Sequence, residues 1–323
     1  MKNNLQVMAI DLMGGDDDPI GRLRAVERFR ESHPQFSLLV FIDQNHFDDH
    51  QTIYQKLPNN LEVIVTDQHI SMDESPLLAL RKKRASSLSM AIKAVADKQA
   101  DVVLTAGNSG ALVAFAKYWL KTTTTIERPA LATVLPGLPK PTLLLDVGAT
   151  LEYNATELFD LAEIGAQVAP HLLSCGGNPE VALLNVGTEH MKGHDTVQQA
   201  DRLLQQSDLN YLGFCEGTHL FDGYADVICC DGFVGNITLK ACEGLMQKLQ
   251  NKEPLKWWQK ILPARFWQFN DVNFNPAQYN GALLLGLGGL VVKAHGNSNE
   301  MDFYHALVRA AEYTEKSTFD FIN

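Results

Sequence analysis

The sequence contains little cysteine, five residues in 323, and their arrangement is typical of neither disulfides nor a metal site. The number is odd and no C-x-x-C pair occurs, while Cys229 and Cys230 are adjacent within an apolar run. Such cysteines usually pack as small apolar side chains in a reducing compartment. We therefore expect free thiols used for packing at positions 175, 215, 229, 230 and 242.

Long apolar runs and an excess of positive charge are also missing. The longest apolar run, Gly281 to Val292, is shorter than the roughly 20 residues of a membrane-spanning helix. The formal net charge is -11, whereas binding to a nucleic-acid backbone depends on Lys and Arg. An apolar strand leads directly into three aspartates at 16–18, so we expect no signal peptide. These absences predict a protein that neither spans a membrane nor binds nucleic acid.

Familiar catalytic motifs do not occur. The sequence has no G-x-S-x-G elbow, no G-x-x-x-x-G-K-[ST] loop, no G-x-G-x-x-G fingerprint and no H-E-x-x-H metal spacing. Gly286-Leu-Gly-Gly289 is only a near match to the dinucleotide fingerprint. Without a nucleophile motif, chemistry between two bound substrates, driven by positioning and charge neutralisation, is favoured.

One pattern occurs twice: a short apolar run followed by a G-x-x-G turn and a stretch with helical spacing. The copies are Ala100–Gly110 and Ala225–Gly235. A glycine turn that opens a helix presents unpaired N–H groups and the positive end of the helix dipole to an anion. The alternative is that the glycines only permit a sharp bend. Because the pattern is duplicated, we predict that both turns grip a phosphate from opposite sides, using Gly107, Asn108, Ser109, Gly110, Gly232, Gly235 and Asn236.

Strand-like runs alternate with amphipathic helical stretches along the chain, which predicts an α/β fold with a mostly parallel sheet covered by helices on both faces. We expect one unit, 1–323, of two intertwined lobes. Ligands of such sheets bind beyond the carboxyl ends of strands. The polar and glycine residues at those ends are Asp11, Gly14, Gly15, Asp16, Asp146, Gly148, Asn185, Gly187 and Asp231. The predicted strands are 5–10, 38–42, 61–65, 102–105, 142–145, 181–186, 211–214 and 227–230.

Cations and hydroxyls near these ends are further candidates. Lys192 lies in the loop after the run that ends at Val186, and a mobile ammonium suits phosphate, although a solvated loop lysine remains the alternative. His295 is either a donor in the cleft or a structural histidine. Ser86 and Ser87 follow a basic cluster, 81–84, and can cap a helix beside an anion. The alternatives for the basic cluster at 81–84 are a solvated face and a docking site for an acidic partner.

Residues 238–270 differ in composition from the rest of the chain. They hold six Lys or Arg against two Glu, and three of the four tryptophans. Opposed basic and aromatic faces are typical of a helix at a membrane surface. An oligomer interface or a solvated hairpin with inward aromatics is the alternative. The residues concerned are Leu255, Trp257, Trp258, Leu262 and Trp267.

In combination these motifs resemble the phosphate acyltransferase family of bacterial phospholipid synthesis over nearly the whole length. Each motif alone is weak, but their order along the chain is specific. They are D-L-M-G-G-D (11–16), T-A-G-N-S-G-A (105–111), E-R-P-A-L (127–131), L-D-V-G-A (145–149), L-N-V-G-T-E (184–189) with Lys192-Gly193, D-G-F-V-G-N (231–236) and K-A-H-G (293–296). The chain departs from the family's usual pattern at Leu12, Asp17, Asp18, Thr150 and Glu152.

The resemblance implies a three-layer α/β/α sandwich similar to phosphotransacetylases and isocitrate dehydrogenases, with a protruding helical hairpin near 245–275. It implies a homodimer without metal or nicotinamide, located in the cytoplasm at the inner face of the membrane. The implied reaction transfers a long acyl chain from acyl-carrier protein to inorganic phosphate. A downstream membrane acyltransferase then uses the acyl phosphate to acylate glycerol 3-phosphate.

On this interpretation phosphate attacks the thioester directly. Lys192 balances the phosphate charge, and Asn108 or the neighbouring N–H groups stabilise the oxyanion. His295 and Glu189 complete the candidate site. The alternatives are a short-chain phosphotransacylase that uses acyl-coenzyme A, a nicotinamide oxidoreductase on a related sandwich, and a membrane scaffold that recruits carrier protein without catalysis.

Overall fold

Eleven strands form one continuous sheet in the computed structural model, which describes residues 5–58, 60–123, 126–250 and 280–316. Most strands are short runs of buried aliphatic residues, as expected where helices cover both faces of a sheet. The strands are β1 (Gln6–Asp11), β2 (Phe36–Asp43), β3 (Leu61–Thr66), β4 (Val102–Thr105), β5 (Ala130–Leu135), β6 (Thr142–Leu145), β7 (Glu180–Leu184), β8 (Asn210–Cys215), β9 (Val227–Cys229), β10 (Ala282–Leu285) and β11 (Leu290–Lys293).

Helices connect most of the strands, and several begin at side-chain caps that are visible in the sequence. Asp18 caps the first helix ahead of Pro19, and Asn154 with Glu157 forms a capping box. The helices are α1 (Pro19–Ser32), α2 (Gln44–Asp49), α3 (Gln51–Tyr54), α4 (Pro76–Lys82), α5 (Ser87–Ala96), α6 (Ser109–Leu120), α7 (Ala155–Leu173), α8 (Asp195–Leu204), α9 (Gly232–Gln250) and α10 (Glu300–Glu315).

The sheet consists of two parallel halves that run in opposite directions. The strand order is β3-β2-β1-β4-β11-β10-β5-β6-β9-β7-β8. The strands β3, β2, β1, β4 and β11 are parallel, as are β6, β9, β7 and β8. Between the halves, β10 and β5 pair antiparallel with each other and with their outer neighbours. The carboxyl ends of the strands in the two halves therefore lie at opposite edges of the sheet, where an edge means a row of strand ends and not an outermost strand.

Apolar layers lie on both faces of the sheet, which makes it the middle layer of an α/β/α sandwich. Alternate residues of a strand point to opposite faces, so Val40 joins the layer under α1, α7 and α10. Its neighbour Phe41 joins the layer under α4, α5 and α6. The predicted fold class is confirmed in its α/β architecture, its layers and its mostly parallel sheet.

All eight predicted strands are present, but β5, β10 and β11 were not predicted as strands. The strands β10 and β11 both overlap the longest apolar run, and four residues, Gly286 to Gly289, three of them glycine, separate them. A continuous apolar run does not show by its periodicity that it contains two strands.

The predicted hairpin lies largely outside the described residues. The helix α9 continues to Gln250, and residues 251–279 are not described. Leu255, Trp257, Trp258, Leu262 and Trp267 fall in that range, so their assignment to a membrane or dimer contact stays a prediction. Among the described helices, none combines the length and apolar character needed to cross a bilayer.

Candidate functional site

The two G-x-x-G turns lie at opposite edges of the sheet. The first follows β4, beside the ends of β1 and β11, and we call this side the β4 edge. The second follows β9, beside the ends of β6 and β7, on the side we call the β9 edge. Five strand spacings of about 4.8 Å separate β4 from β9. The prediction that both turns grip one phosphate is therefore wrong for a single chain.

The first turn offers free backbone donors to a ligand. The N–H of Gly107 donates to the Thr105 hydroxyl at 2.9 Å, and the N–H of Ala111 is taken by Asn108. The N–H groups of Ser109 and Gly110, at the start of α6, have no acceptor within the described ranges. With the positive end of the helix dipole, these two groups form a potential anion site.

Glycines bring the loops after β1, β4 and β11 together at this edge. A Cβ on Gly14 would collide with the backbone nitrogen of Gly107, so only glycine permits this approach. Gly15 has φ +105°, and the next residue, Asp16, donates its N–H to the Gly296 carbonyl at 2.7 Å. Three segments that are far apart in the sequence therefore surround the first turn.

The side chain of Asn108 is not available to a substrate. Its Oδ1 accepts the Ala111 N–H at 3.0 Å, which makes it the N-cap of α6. Its Nδ2 donates to the carbonyls of Met72 and Glu74 at 2.8 and 3.0 Å. The prediction that this amide stabilises an oxyanion is wrong, because both of its hydrogens are used to hold the 72–74 loop. The neighbouring N–H groups, the other candidates, remain free.

Buried polar groups lie beneath the first turn. The Oδ2 of Asp11 accepts the Thr105 hydroxyl at 2.8 Å, and the residue is almost fully buried. Burial raises the pKa of this carboxyl, while Ser87, Thr105 and Arg22 lower it. The Nε of Arg22 donates to the Leu12 carbonyl at 2.8 Å. Asp11 therefore supports the site from below through Thr105, whereas the buried Ser87 hydroxyl has no hydrogen-bond partner among the described residues.

Ser86, the other predicted serine, is the N-cap of α5. Its hydroxyl accepts the Ser89 N–H at 3.4 Å, and the residue is fully buried. The capping part of its prediction is confirmed.

A group of titratable side chains, which was not predicted as a group, lies next to the first turn. Lys293 ends β11 with 8% of its surface exposed, and its Nζ donates to the Ala106 carbonyl at 3.1 Å. On α9, Glu243 pairs with Lys240 at 2.9 Å and with His295 at 3.1 Å. Burial lowers the pKa of His295, Glu243 raises it, and Lys240 lowers it again. Of these residues only His295 was a candidate from the sequence, and the structure places it at the β4 edge.

In the second turn, as far as the structure describes it, the backbone N–H groups of 232–235 are all bonded. The first N–H groups of α9 are bonded to the 150–151 loop: Gly232 donates to Thr150 at 2.9 Å and Phe233 to Leu151 at 3.3 Å. The next two N–H groups go to Asp231, through its carboxylate and its carbonyl. Gly232 and Gly235 permit close packing of α9 on the loop after β6. For this turn the alternative interpretation, a sharp bend, is correct.

Asp146 organises the same edge and is saturated with hydrogen bonds. Its carboxylate accepts five: from the N–H groups of Leu131, Gly148, Ala149 and Thr150, and from the Tyr153 hydroxyl. The residue is fully buried, which raises the pKa of the carboxyl, and the N–H donors lower it. Its predicted contact with substrate is wrong, because no acceptor position is left. Gly148 has φ +127° and packs against Asn236.

Lys192 also lies at the β9 edge, away from the first turn. It is exposed, on a loop in which the Asn185 amide donates to the Lys192 carbonyl at 3.1 Å. Gly193 has φ +84° and packs against Asn185, while Gly187 lies against Glu189 and the Lys192 stem. The same loop borders a groove of about 760 Å³. The structure holds this lysine at a rim but does not join it to Asn108 or His295.

Several residues of this site were missed by the sequence reasoning. Lys293 had a signal, since it is a charge that directly follows an aliphatic run in K-A-H-G. Lys240 and Glu243 had no signal in the sequence, because their ion pairs at the site depend on how α9 crosses toward the β4 edge. Arg22 is in the interior of α1, where the periodicity does not distinguish it from solvated arginines.

Solved structures with a similar fold include phosphotransacylases. A phosphotransacetylase from Streptococcus pyogenes aligns with a TM-score of 0.64 at 16% identity, covering 97% of this chain and 95% of that one. A branched-chain phosphotransacylase from Enterococcus faecalis aligns with a TM-score of 0.59 at 15% identity, covering 96% and 99%. At such low identity the likeness shows the fold alone.

Sequence relatives show the family. A protein of Shewanella sp. (strain MR-4) named phosphate acyltransferase is 42% identical over 311 residues, 93% of this chain and 90% of that one. Its counterpart in Shewanella sp. (strain ANA-3) is 41% identical over 320 residues, which cover 96% of this chain and 93% of that one. The family model described as "Fatty acid synthesis protein" matches residues 6–319. The chain therefore belongs to the fatty acid synthesis protein family and is related in sequence to these phosphate acyltransferases.

Proposed function

We propose that this protein is an acyltransferase that moves a long-chain fatty acyl group from acyl-carrier protein to inorganic phosphate. The observation that carries the proposal is the identity of about 41% to proteins named phosphate acyltransferase over nearly the full chain. The β4 edge supports it with free N–H donors at the start of α6, opposite Lys240, Lys293 and His295.

The first turn is the proposed phosphate site. Two phosphate oxygens accept the N–H groups of Ser109 and Gly110, where the helix dipole favours an anion. Lys240 supplies further charge from α9, and His295, whose pKa burial lowers, offers a ring N–H from the loop after β11; Glu243 pairs with both of them. The buried Asp11 keeps the turn in position from below, because it accepts the Thr105 hydroxyl that in turn accepts the Gly107 N–H.

The reaction needs positioning more than acid catalysis. A phosphate oxygen attacks the thioester carbonyl, and the negative charge that develops on the carbonyl oxygen is stabilised by a backbone N–H of the turn. The thiolate is a good leaving group, since a thiol has a pKa near ~8.5. Holding a multiply charged nucleophile against the carbonyl is therefore the main demand on the protein.

Lys192 is proposed as a second cation for an anionic group of either substrate. It is exposed, and the 187–193 loop that carries it is tightened by Gly187 and Gly193. We expect Lys192→Ala to keep its fold and to lose about 10²-fold in acyl phosphate formation. The control is Lys56→Met, an exposed lysine beyond α3. Normal turnover by folded Lys192→Ala would remove this residue from the site.

The alternative within the same class is a short-chain phosphotransacylase that uses acyl-coenzyme A, and the fold of the structural neighbours favours it as the second candidate. Comparing turnover with palmitoyl-carrier protein and with acetyl-coenzyme A separates the two. A scaffold without catalysis is rejected if pure protein forms acyl phosphate.

The decisive experiment incubates the pure protein with palmitoyl-carrier protein and phosphate, and traps acyl phosphate with hydroxylamine. We expect a phosphate-dependent hydroxamate and a stoichiometric release of carrier thiol. Thiol release without hydroxamate would contradict the proposal, because it indicates hydrolysis.

The proposal extends to the setting of the reaction. A homodimer at the inner face of the cytoplasmic membrane, delivering acyl phosphate to a membrane glycerol-phosphate acyltransferase, fits the family resemblance. The basic and Trp-rich composition of 238–270 supports a membrane contact.

A further inference from the structure

Lys293 is a buried lysine placed directly under the first turn. It ends β11, which pairs in parallel with β4, and its partner in the register is Thr105. Its Nζ donates to the carbonyl of Ala106 at 3.1 Å and also to that of Ala294. Ala106 immediately precedes the turn whose N–H groups are the proposed phosphate site, so the amine lies within the same loop cluster.

The hydrogen bonds of Lys293 are compatible with a neutral amine. A neutral amine has two N–H groups and one lone pair, whereas an ammonium has three N–H groups. The two carbonyls use two hydrogens, and the third position meets no acceptor among the described residues. In its neutral state the amine therefore has a lone pair left over, and in its charged state an unused donor.

The charged groups around Lys293 come from four segments. Burial, and after it Lys240 on α9, lower the pKa of its ammonium, which comes to about 7 when all the surrounding groups act together. Asp16 in the loop after β1 and Asp11 at the end of β1 raise it. His295 lies two residues on, and its own pKa is lowered by burial and by Lys293. A lysine that exchanges its proton near neutral pH is suited to act as a base.

We propose that Lys293 is the base that takes the proton from the attacking phosphate. The Nζ lone pair accepts the hydrogen of HPO₄²⁻ as the oxygen bonds to the thioester carbon. The carbon–sulfur bond breaks, and the thiolate leaves. The Lys293 ammonium then gives this proton to the thiolate, so that thioester and HPO₄²⁻ become acyl phosphate dianion and thiol. This role rests on the proposed function.

Two substitutions separate a base from a mere positive charge. Lys293→Arg keeps the charge and the two donors but has no basic lone pair at neutral pH, and Lys293→Met removes both. We expect kcat to fall by about 10²–10⁴-fold in both. The KM for phosphate stays within threefold in Lys293→Arg and rises in Lys293→Met. A Lys293→Arg enzyme with kcat within threefold of the wild type would overturn the proposal.

The wild-type protein provides a test that does not depend on the variants folding. With lysines labelled at Cε by carbon-13, we expect one resonance to titrate near pH 7, while the exposed lysines titrate near their usual value of about 10.4. Lys56→Met is the control that leaves this resonance unchanged. A spectrum in which every lysine titrates above pH 9 would overturn the proposal.

The two failures are distinguishable. If the wild-type protein forms no acyl phosphate, the proposed function is wrong. If it does, but turnover survives in Lys293→Arg or no lysine titrates near neutrality, only the role of Lys293 is wrong.

Discussion

The side chain of Asn108 uses both of its amide hydrogens, and its oxygen accepts one hydrogen bond, within the protein. It caps α6 through Oδ1 and ties down the 72–74 loop through Nδ2. From the sequence alone, an asparagine in a glycine turn suits a cap and an oxyanion donor equally well. Which of these roles it fills depends on the carbonyls of Met72 and Glu74, which come from a distant segment.

We expect Asn108→Ala to lower the free energy of unfolding by about 1–3 kcal/mol, since it removes the cap and two amide donors. Asn108→Ser is the matched variant, because it restores the cap but not the donors, and should recover about 1 kcal/mol of the loss. Urea denaturation measures both. If Asn108→Ala were fully stable and lost only kcat, the amide would be a catalytic donor after all.

At the level of elements, the two glycine turns have different functions although they resemble each other in sequence. The α6 start leaves two N–H groups free, while the α9 start is bonded to the loop after β6. Asp146 holds that loop through four hydrogen bonds and accepts a fifth from Leu131 of β5. The turn after β4 therefore serves binding, and the turn after β9 serves the packing of a helix.

Two glycines of α9 test this assignment within one helix. A Cβ on Gly235 would overlap the Asp146 carbonyl oxygen, whereas Gly244 has nothing within 4 Å. We expect Gly235→Ala to destabilise the protein by about 1–3 kcal/mol through overpacking. Gly244→Ala should stabilise it by roughly 0.5–1 kcal/mol through helix propensity. Thermal unfolding of the pair measures the difference, and equal Tm values would show that α9 does not pack closely here.

The strands also show which features of the sheet a sequence pattern predicts and which it does not. Apolar runs bounded by glycines predicted eight strands, because a buried parallel strand is continuously aliphatic. The antiparallel strands β5 and β10, which reverse the direction of the sheet, have the same composition as their parallel neighbours. Strand direction is set by pairing partners, and these are not encoded in the local pattern.

At the scale of the whole molecule, the site lies in one half of the sheet, but a helix of the other half completes it. The helix α9 starts at the β9 edge, and its Glu243 reaches His295 at the β4 edge. It then continues toward residues 251–279, the segment with the basic and aromatic composition. That segment therefore directly follows, in the sequence, the helix that carries Lys240 and Glu243.

For that segment we expect Trp258→Glu with Leu262→Glu to reduce sedimentation with anionic lipid vesicles at least tenfold. Introducing charge on an apolar face opposes insertion at the interface. Activity with soluble carrier protein is expected to stay within twofold. The control is Leu138→Glu, which changes a leucine that is 60% exposed in another loop. Unchanged sedimentation of the double variant would assign the aromatics to another contact.

The sequence by itself determined the α/β class, most of the strands, the family and the loops in which polar residues gather, since these depend on local composition and on motif order. Only the tertiary structure decided which of those residues face each other. The reversal of strand direction at β10 and β5 separates the two turns, and the crossing of α9 brings Lys240 and Glu243 to Lys293 and His295. The physical reason is that burial, pairing and free hydrogen-bonding capacity are properties of neighbours in space, which the order of residues along the chain does not reveal.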